Sequence, residues 1–186
     1  DIVLVGLGVG GSTAQTLATR LFQGGVAKLA LLNTYAYEHA FAPNWPLPDM
    51  QKHRDPELAH TISVEQLQQE LRQALPLGSA KGLSSAQVDT YADEWNSTVG
   101  KFMLMQHVRA MNPLYINSVA SDVIKLRIPV RIIWGERDEV TPLALGERLS
   151  REAGTARLEV IKGAGHMLLD DAPDQVARLL ADFVRE

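Results

Sequence analysis

No cysteine occurs anywhere in the 186 residues, which excludes disulfide scaffolds, zinc–thiolate sites and cysteine nucleophiles. Also missing is any apolar run near the ~20 residues that a membrane-spanning helix needs, and the first residues do not read as a signal peptide. Neither sign of charge dominates: 18 Lys and Arg face 22 Asp and Glu, a net charge of -4 that is scattered rather than blocked. That distribution argues against a nucleic-acid footprint and against a polybasic membrane patch. Absence of cysteine suits either side of a membrane; without a signal pattern, the expected compartment is the cytoplasm. An initiator methionine is absent too, and the chain opens directly on a strand-like run, so further sequence is expected before Asp1. What is present is material for a core, because a chain 46% hydrophobic and 22% charged has the balance of a folded domain.

Residues 2–5 are a short apolar run, followed by Gly6-Leu7-Gly8-Val9-Gly10-Gly11 and then by STAQTLATRLF. In the last segment Ala14, Leu17, Ala18 and Leu21 recur at three- and four-residue spacing and mark the expected buried face of a helix. Gly24 and Gly25 stop it, and residues 27–33 form a second strand of the continuous apolar kind found in parallel sheets. From Thr34 the character changes. Residues 35–50, with Pro43, Trp45, Pro46 and Pro48, read as a loop, and only helical signals follow as far as Leu126. Ser63 and Gln66 have the spacing of a capping box at the head of one helix. Others lie in SAQVDTYADEW, in GKFMLMQHVRAM and after Asn112-Pro113. Strand signals return at residues 129–134 and in ARLEVIKG, with helices over 143–152 and 173–183. The expected fold class is α/β: a parallel sheet with flanking helices, interrupted by an all-helical insertion.

The glycine loop leaves three readings open. As G-x-G-x-x-G, with Gly6, Gly8 and Gly11, it matches the dinucleotide fingerprint and points to NAD or FAD. The second strand, however, ends in Asn33 where an acidic residue should meet the ribose. As G-x-S-x-G it matches a nucleophile elbow, with Gly6 and Gly10 as the flanking glycines where strand and helix pack closely, and Gly8 in the nucleophile's place. The third reading is a glycine turn without a ligand.

The C-terminal half separates them. Trp134-Gly135-Glu136-Arg137-Asp138, followed by Pro142, precedes Gly163-Ala164-Gly165-His166 and then the acidic-Pro start of the last helix. Asp138 alone would be a turn residue or a helix cap, and His166 alone a loop histidine. In this order, each just after an apolar strand, the segments resemble the α/β-hydrolase fold superfamily, in its C-terminal portion and with the nucleophile replaced by glycine. The resemblance implies strands five to eight of an eight-stranded core in residues 1–35 and 127–186, with a helical cap in 36–126. It also implies a triad of the Gly8 position, Asp138 and His166, the Val9 N–H as one oxyanion donor, and no cofactor or metal. The expected partner is a small, largely apolar substrate with an ester or lactone bond. Haloalkane dehalogenase or epoxide hydrolase chemistry is the alternative, since Gly10-Gly11-x-x-Ala14-Gln15 and Trp45-Pro46 are similar to relatives with Asp at the elbow.

Two family features are missing: a nucleophile at position 8, and the early strands that would carry a second oxyanion donor. Ser12 lies about one helical turn away and cannot replace the nucleophile. Glycine at the seat is compatible with a non-covalent reaction run by the His–Asp pair, with a binding protein that turns nothing over, or with a substitution made to trap a substrate. His39, His53, His60 and His107 lack metal-ligand spacing and read as solvated or packing residues, and FMLMQ as helical core. The first strand should present an open sheet edge, which invites self-association.

Overall fold

The computed structural model describes residues 2–22, 24–37 and 57–186. Strands β1 (Ile2–Leu7), β2 (Val26–Leu32), β3 (Val130–Gly135) and β4 (Ala156–Ile161) form one parallel sheet in the order β1-β2-β3-β4. The unbroken apolar runs of β2 and β3 follow from burial on both faces. Leu29, Leu31, Ile132 and Trp134 pack on one face, and Ala30, Leu32 and Ile133 on the other. Arg131 interrupts the run on β3, and its buried guanidinium is paired with Glu159 at 3.1 Å and Glu186 at 2.6 Å.

Helix α1 (Val9–Thr16) leaves the end of β1 and continues as a π turn over Leu17–Leu21. Of the face expected to be buried, Ala14 and Ala18 are buried, but Leu21 is 68% exposed. The π turn is the reason. Its Phe22 N–H donates to the Leu17 carbonyl at 2.8 Å, an i→i+5 bond that inserts a residue into the turn and rotates Leu21 and Phe22 outward.

The helical stretch comprises α2 (Leu58–Thr61), α3 (Val64–Ala74), α4 (Ser85–Asp93), α5 (Thr98–Ala110) and α6 (Pro113–Val123). Among the described residues it holds no strand. The Ser63–Gln66 capping box forms, with bonds of 3.0 and 2.9 Å, and Ser84–Gln87 makes a second one at the head of α4. Ile62, Leu67, Leu71, Ala92 and Met105 build a core separate from the sheet's, so the FMLMQ segment does pack, through Met105. His60 lies against Phe102 and His107 edge-on to Trp95, as packing residues do. His39, His53 and the Trp45-Pro46 loop lie outside the described residues.

By packing, α6 goes with the sheet rather than with the helices before it. Ala120 and Val123 join the core beneath α1, and Arg20 bridges to Asp122 at 2.7 Å. Helices α7 (Leu143–Glu152), α8 (Leu168–Asp171) and α9 (Pro173–Arg185) complete the chain, with Val176 and Phe183 of α9 covering the opposite sheet face. Among the described residues β1 pairs with β2 alone, and Ile2 and Val5 are 45% and 49% exposed. Among the described residues β1 therefore stands at an edge of the sheet.

Candidate functional site

Gly8 ends β1 and caps α1 with φ 53° and ψ −122°, a conformation that glycine adopts without the Cβ penalty of other residues. Its N–H donates to the Leu32 carbonyl at 3.0 Å, and its carbonyl accepts from the Thr34 hydroxyl at 2.9 Å and the Gly11 N–H at 3.1 Å. A Cβ on Gly6 would sit 2.5 Å from the Gly10 carbonyl oxygen, and one on Gly11 would collide with the Thr34 side chain. A Cβ on Gly10 would meet nothing among the described residues within 4 Å. Close packing therefore falls on Gly6 and Gly11, not on the expected pair Gly6 and Gly10, because position 11 faces the sheet and position 10 faces outward. Val9 occupies the first position of α1, where helix geometry leaves the N–H without an intrahelical acceptor. Ser12 donates to the Tyr35 carbonyl at 3.3 Å, a structural use of its hydroxyl.

Asp138 follows β3, and its fully buried carboxylate accepts from the N–H groups of Val140 and Thr141, each at 2.8 Å, and from the Thr141 hydroxyl at 2.7 Å. Asp138 is thus a turn residue in the structure, held by the segment that follows it. Its oxygens lie 3.0 and 3.2 Å from His166 Nδ1. In the neutral ring the nitrogen facing a carboxylate carries the proton, and the lone pair then lies on Nε2. That Nε2 lies 3.7 Å from the place a Cβ at position 8 would occupy, and among the described residues, apart from Gly8 and its chain neighbours Leu7 and Val9, no other atom comes within 4 Å of that place. Positions 8, 138 and 166 are therefore together at the carboxyl ends of β1, β3 and β4, where open α/β sheets bind ligands. The Tyr35 ring is 6.5 Å from His166. Burial, and secondarily the charge of Asp138, pushes the Tyr35 hydroxyl up to about 12, so it stays neutral beside the pair.

Several supporting residues were not legible as such. Asn33 is fully buried at φ 40°. Its amide donates to the carbonyls of Gly165 at 2.8 Å and His166 at 3.1 Å, and its oxygen accepts from the Gly135 N–H at 2.8 Å. One side chain thus ties the end of β2 to the acid's strand and to the histidine's loop. The Trp134 indole donates to the Thr141 carbonyl at 2.8 Å, anchoring the turn that holds Asp138. Gly135 has no room for a side chain, since a Cβ there would lie 2.5 Å from the Gly165 carbonyl oxygen.

Asp171, in the acidic-Pro segment, is buried and joins the histidine loop to the helical stretch. It accepts from Gly165 N–H at 2.6 Å, Ala80 N–H at 3.0 Å and the Ser79 hydroxyl at 2.5 Å. Burial pushes its carboxyl up, but these donors and the Lys81 N–H outweigh that and hold it below its ordinary value. A folded-state pKa below the unfolded one stabilises the fold above the unfolded value and loses that effect as pH falls through the folded one. The gap in Tm between the protein and its Asp171→Asn variant is therefore expected to be full at neutral pH. It should shrink below about pH 4, as scanning calorimetry across a pH series would record.

Among the described residues no cluster of His, Asp and Glu is arranged to hold a metal ion. Nor is any helix among them long and apolar enough to cross a membrane. Monoacylglycerol lipase ABHD6 from Bos taurus is 28% identical over 67 residues, which are 36% of this chain and 20% of that protein. An alpha/beta hydrolase fold protein from Burkholderia ambifaria matches with a TM-score of 0.84 at 23% identity, covering 97% of this chain and 65% of that one. The haloalkane dehalogenase AncHLD2 matches with a TM-score of 0.83 at 19% identity, covering 100% of this chain and 68% of that one. At these identities the structural likenesses establish the fold alone. The match spans a fifth of the length of the curated relative and about two thirds of each solved structure. Residues 1–179 match the sequence pattern of the alpha/beta hydrolase family, and the chain belongs to that family.

Proposed function

We propose that this chain carries the hydrolytic site of an enzyme that cleaves an ester or lactone bond in a small, largely apolar substrate. Strands β1 to β4 stand for strands five to eight of the family's sheet, and helices α2 to α5 belong to a cap over their carboxyl ends, with α6 returning to the sheet. Position 8 is the nucleophile's seat, Asp138 holds the imidazole in one tautomer, His166 is the base, and the Val9 N–H is one oxyanion donor. No cofactor or metal enters this scheme. The observation that carries it is the approach of His166 Nε2 to within 3.7 Å of the Cβ place at position 8, with Asp138 on the opposite ring nitrogen. A hydroxyl one bond beyond that Cβ comes within hydrogen-bonding reach of Nε2. The ester preference over halide or epoxide chemistry draws on the curated relative, which is named a lipase; the fold likeness itself is as good to a dehalogenase.

The test uses the protein at its natural length. Gly8→Ser is expected to raise kcat/KM for short-chain p-nitrophenyl esters by ~10²–10⁴-fold, a fraction of the ~10⁶ that a nucleophile contributes in an established triad enzyme. Gly8→Asp, assayed on alkyl halides and epoxides, examines the alternative. Failure of both variants on all these substrates would overturn the reading. Retained ligand binding that His166→Ala leaves unchanged would then favour a binding protein, and a Tm raised by NAD(H) or FAD would favour the nucleotide reading.

A further inference from the structure

We infer that position 8 seats a mobile nucleophile: a water molecule or a small alcohol occupies the place of the absent side-chain hydroxyl, and acyl transfer proceeds by direct displacement without an acyl-enzyme. This rests on the hydrolytic reading above and names how the site works with glycine in it.

The turn that presents a nucleophile is kept here by backbone and neighbours alone. Leu32, Thr34 and Gly11 hold Gly8 through three hydrogen bonds of 2.9–3.1 Å, none of which needs a side chain at that position. At φ 53° glycine also avoids the strain that a side chain carries in such a conformation. The space beyond Gly8 is faced by a base: apart from Gly8 and its chain neighbours Leu7 and Val9, His166 Nε2 is the one atom of the described residues within 4 Å of the Cβ place. A water needs two or more polar partners to be held. Nε2 supplies an acceptor, and the Val9 N–H at the open end of α1 a donor close by. Asp138, buried and fixed by Val140 and Thr141, keeps the ring turned so that its lone pair meets the seat.

In the step itself the water oxygen bonds to the acyl carbon while His166 Nε2 takes one water proton, and the carbonyl electrons move onto the carbonyl oxygen. When the tetrahedral species collapses, the bond to the leaving oxygen breaks and the imidazolium returns its proton to that oxygen. The products are an acid and an alcohol, or one hydroxy acid from a lactone. With methanol in the seat, the products are a methyl ester and the same alcohol. A seated water is not held as firmly as a bonded hydroxyl, so less of the entropic cost is met in advance. The substrates that fit are therefore acyl compounds with good leaving groups, such as aryl esters and strained lactones.

The experiment measures p-nitrophenol release from p-nitrophenyl acetate by the protein at its natural length, with methanol as second nucleophile and mass spectrometry of the quenched protein. Expected are no burst, no acyl adduct, release that rises in proportion to methanol together with methyl acetate, and a fall of at least ~100-fold in His166→Ala. Gly8→Ala, folded by circular dichroism, is expected to lose ~10-fold or more, because its methyl enters the seat. An acyl adduct on the unmodified protein, release indifferent to methanol, or full activity in Gly8→Ala overturns the inference. If Gly8→Ser turns over and forms the adduct while the unmodified protein stays at background, the inference falls and the hydrolytic reading stands. If neither turns over, both fall.

Discussion

In a Gly8→Ser background, Asp138→Asn is expected to lower kcat for p-nitrophenyl esters by ~10³–10⁴-fold while the protein remains folded, the scale seen when a triad acid loses its charge. The carboxylate accepts three hydrogen bonds from Val140 and Thr141 and faces His166 Nδ1 at 3.0 Å. An asparagine can rotate so that its oxygen keeps the backbone bonds, but its NH₂ then points at Nδ1. The favoured tautomer reverses, the ring proton moves to Nε2, and the atom facing position 8 becomes a donor instead of a base. The charge that would stabilise an imidazolium is also gone. Steady-state kinetics paired with thermal melts separates this from misfolding: a chemical role lowers kcat with KM and Tm little changed. A loss under tenfold would remove Asp138 from the proposed machinery.

Asn33→Ala should be the most destabilising of the single changes named here, at about 3 kcal/mol. It takes the Asn33 partner from the Gly165 carbonyl and the Gly135 N–H, while the His166 carbonyl keeps the Leu168 N–H at 2.8 Å, and a buried polar group left unmatched costs ~1–3 kcal/mol. Partial relaxation of the loop keeps the total below the largest sum of two such penalties. Urea unfolding should show the midpoint shifted at constant slope. Activity in the Gly8→Ser background should fall as well, because the loop carrying His166 loses its tie to the strand that precedes Asp138. Asn33→Asp tests the same geometry differently. It can accept from Gly135 but cannot donate to the two carbonyls, so it should be no better than alanine. Near-normal stability in both variants would show that the loop is held elsewhere.

Much of the fold was legible because its signals are local. The Ser63–Gln66 box, the continuous apolar runs of β2 and β3, and Pro173 at the start of α9 each act within a few residues of themselves. Gly8, Asp138 and His166 stand out as candidates for a related reason, since each comes after a strand end in a recognisable segment. The misjudged positions are those where a distant group decides. Leu21 obeyed the helical period until a π turn shifted it. Gly10 looked like the packed glycine, yet the collision lies between Gly11 and Thr34, residues on different elements. Asn33 drew notice only as a missing ribose ligand, and its role depends on Gly135 and Gly165, more than a hundred residues away.

By itself the order of residues determined the α/β class, the parallel strands, the helical interruption and the candidate acid and histidine, because spacing, caps and turn chemistry are properties of neighbours along the chain. Only the tertiary structure decided that His166 Nε2 faces an open place at Gly8, and that Asp171 ties the histidine loop to the helical stretch. It also decided that one buried asparagine bonds both to Gly135, at the end of β3, and to the loop that carries His166. Those facts depend on which strands lie side by side and in what register, and pairing between remote segments is settled only when the whole core closes.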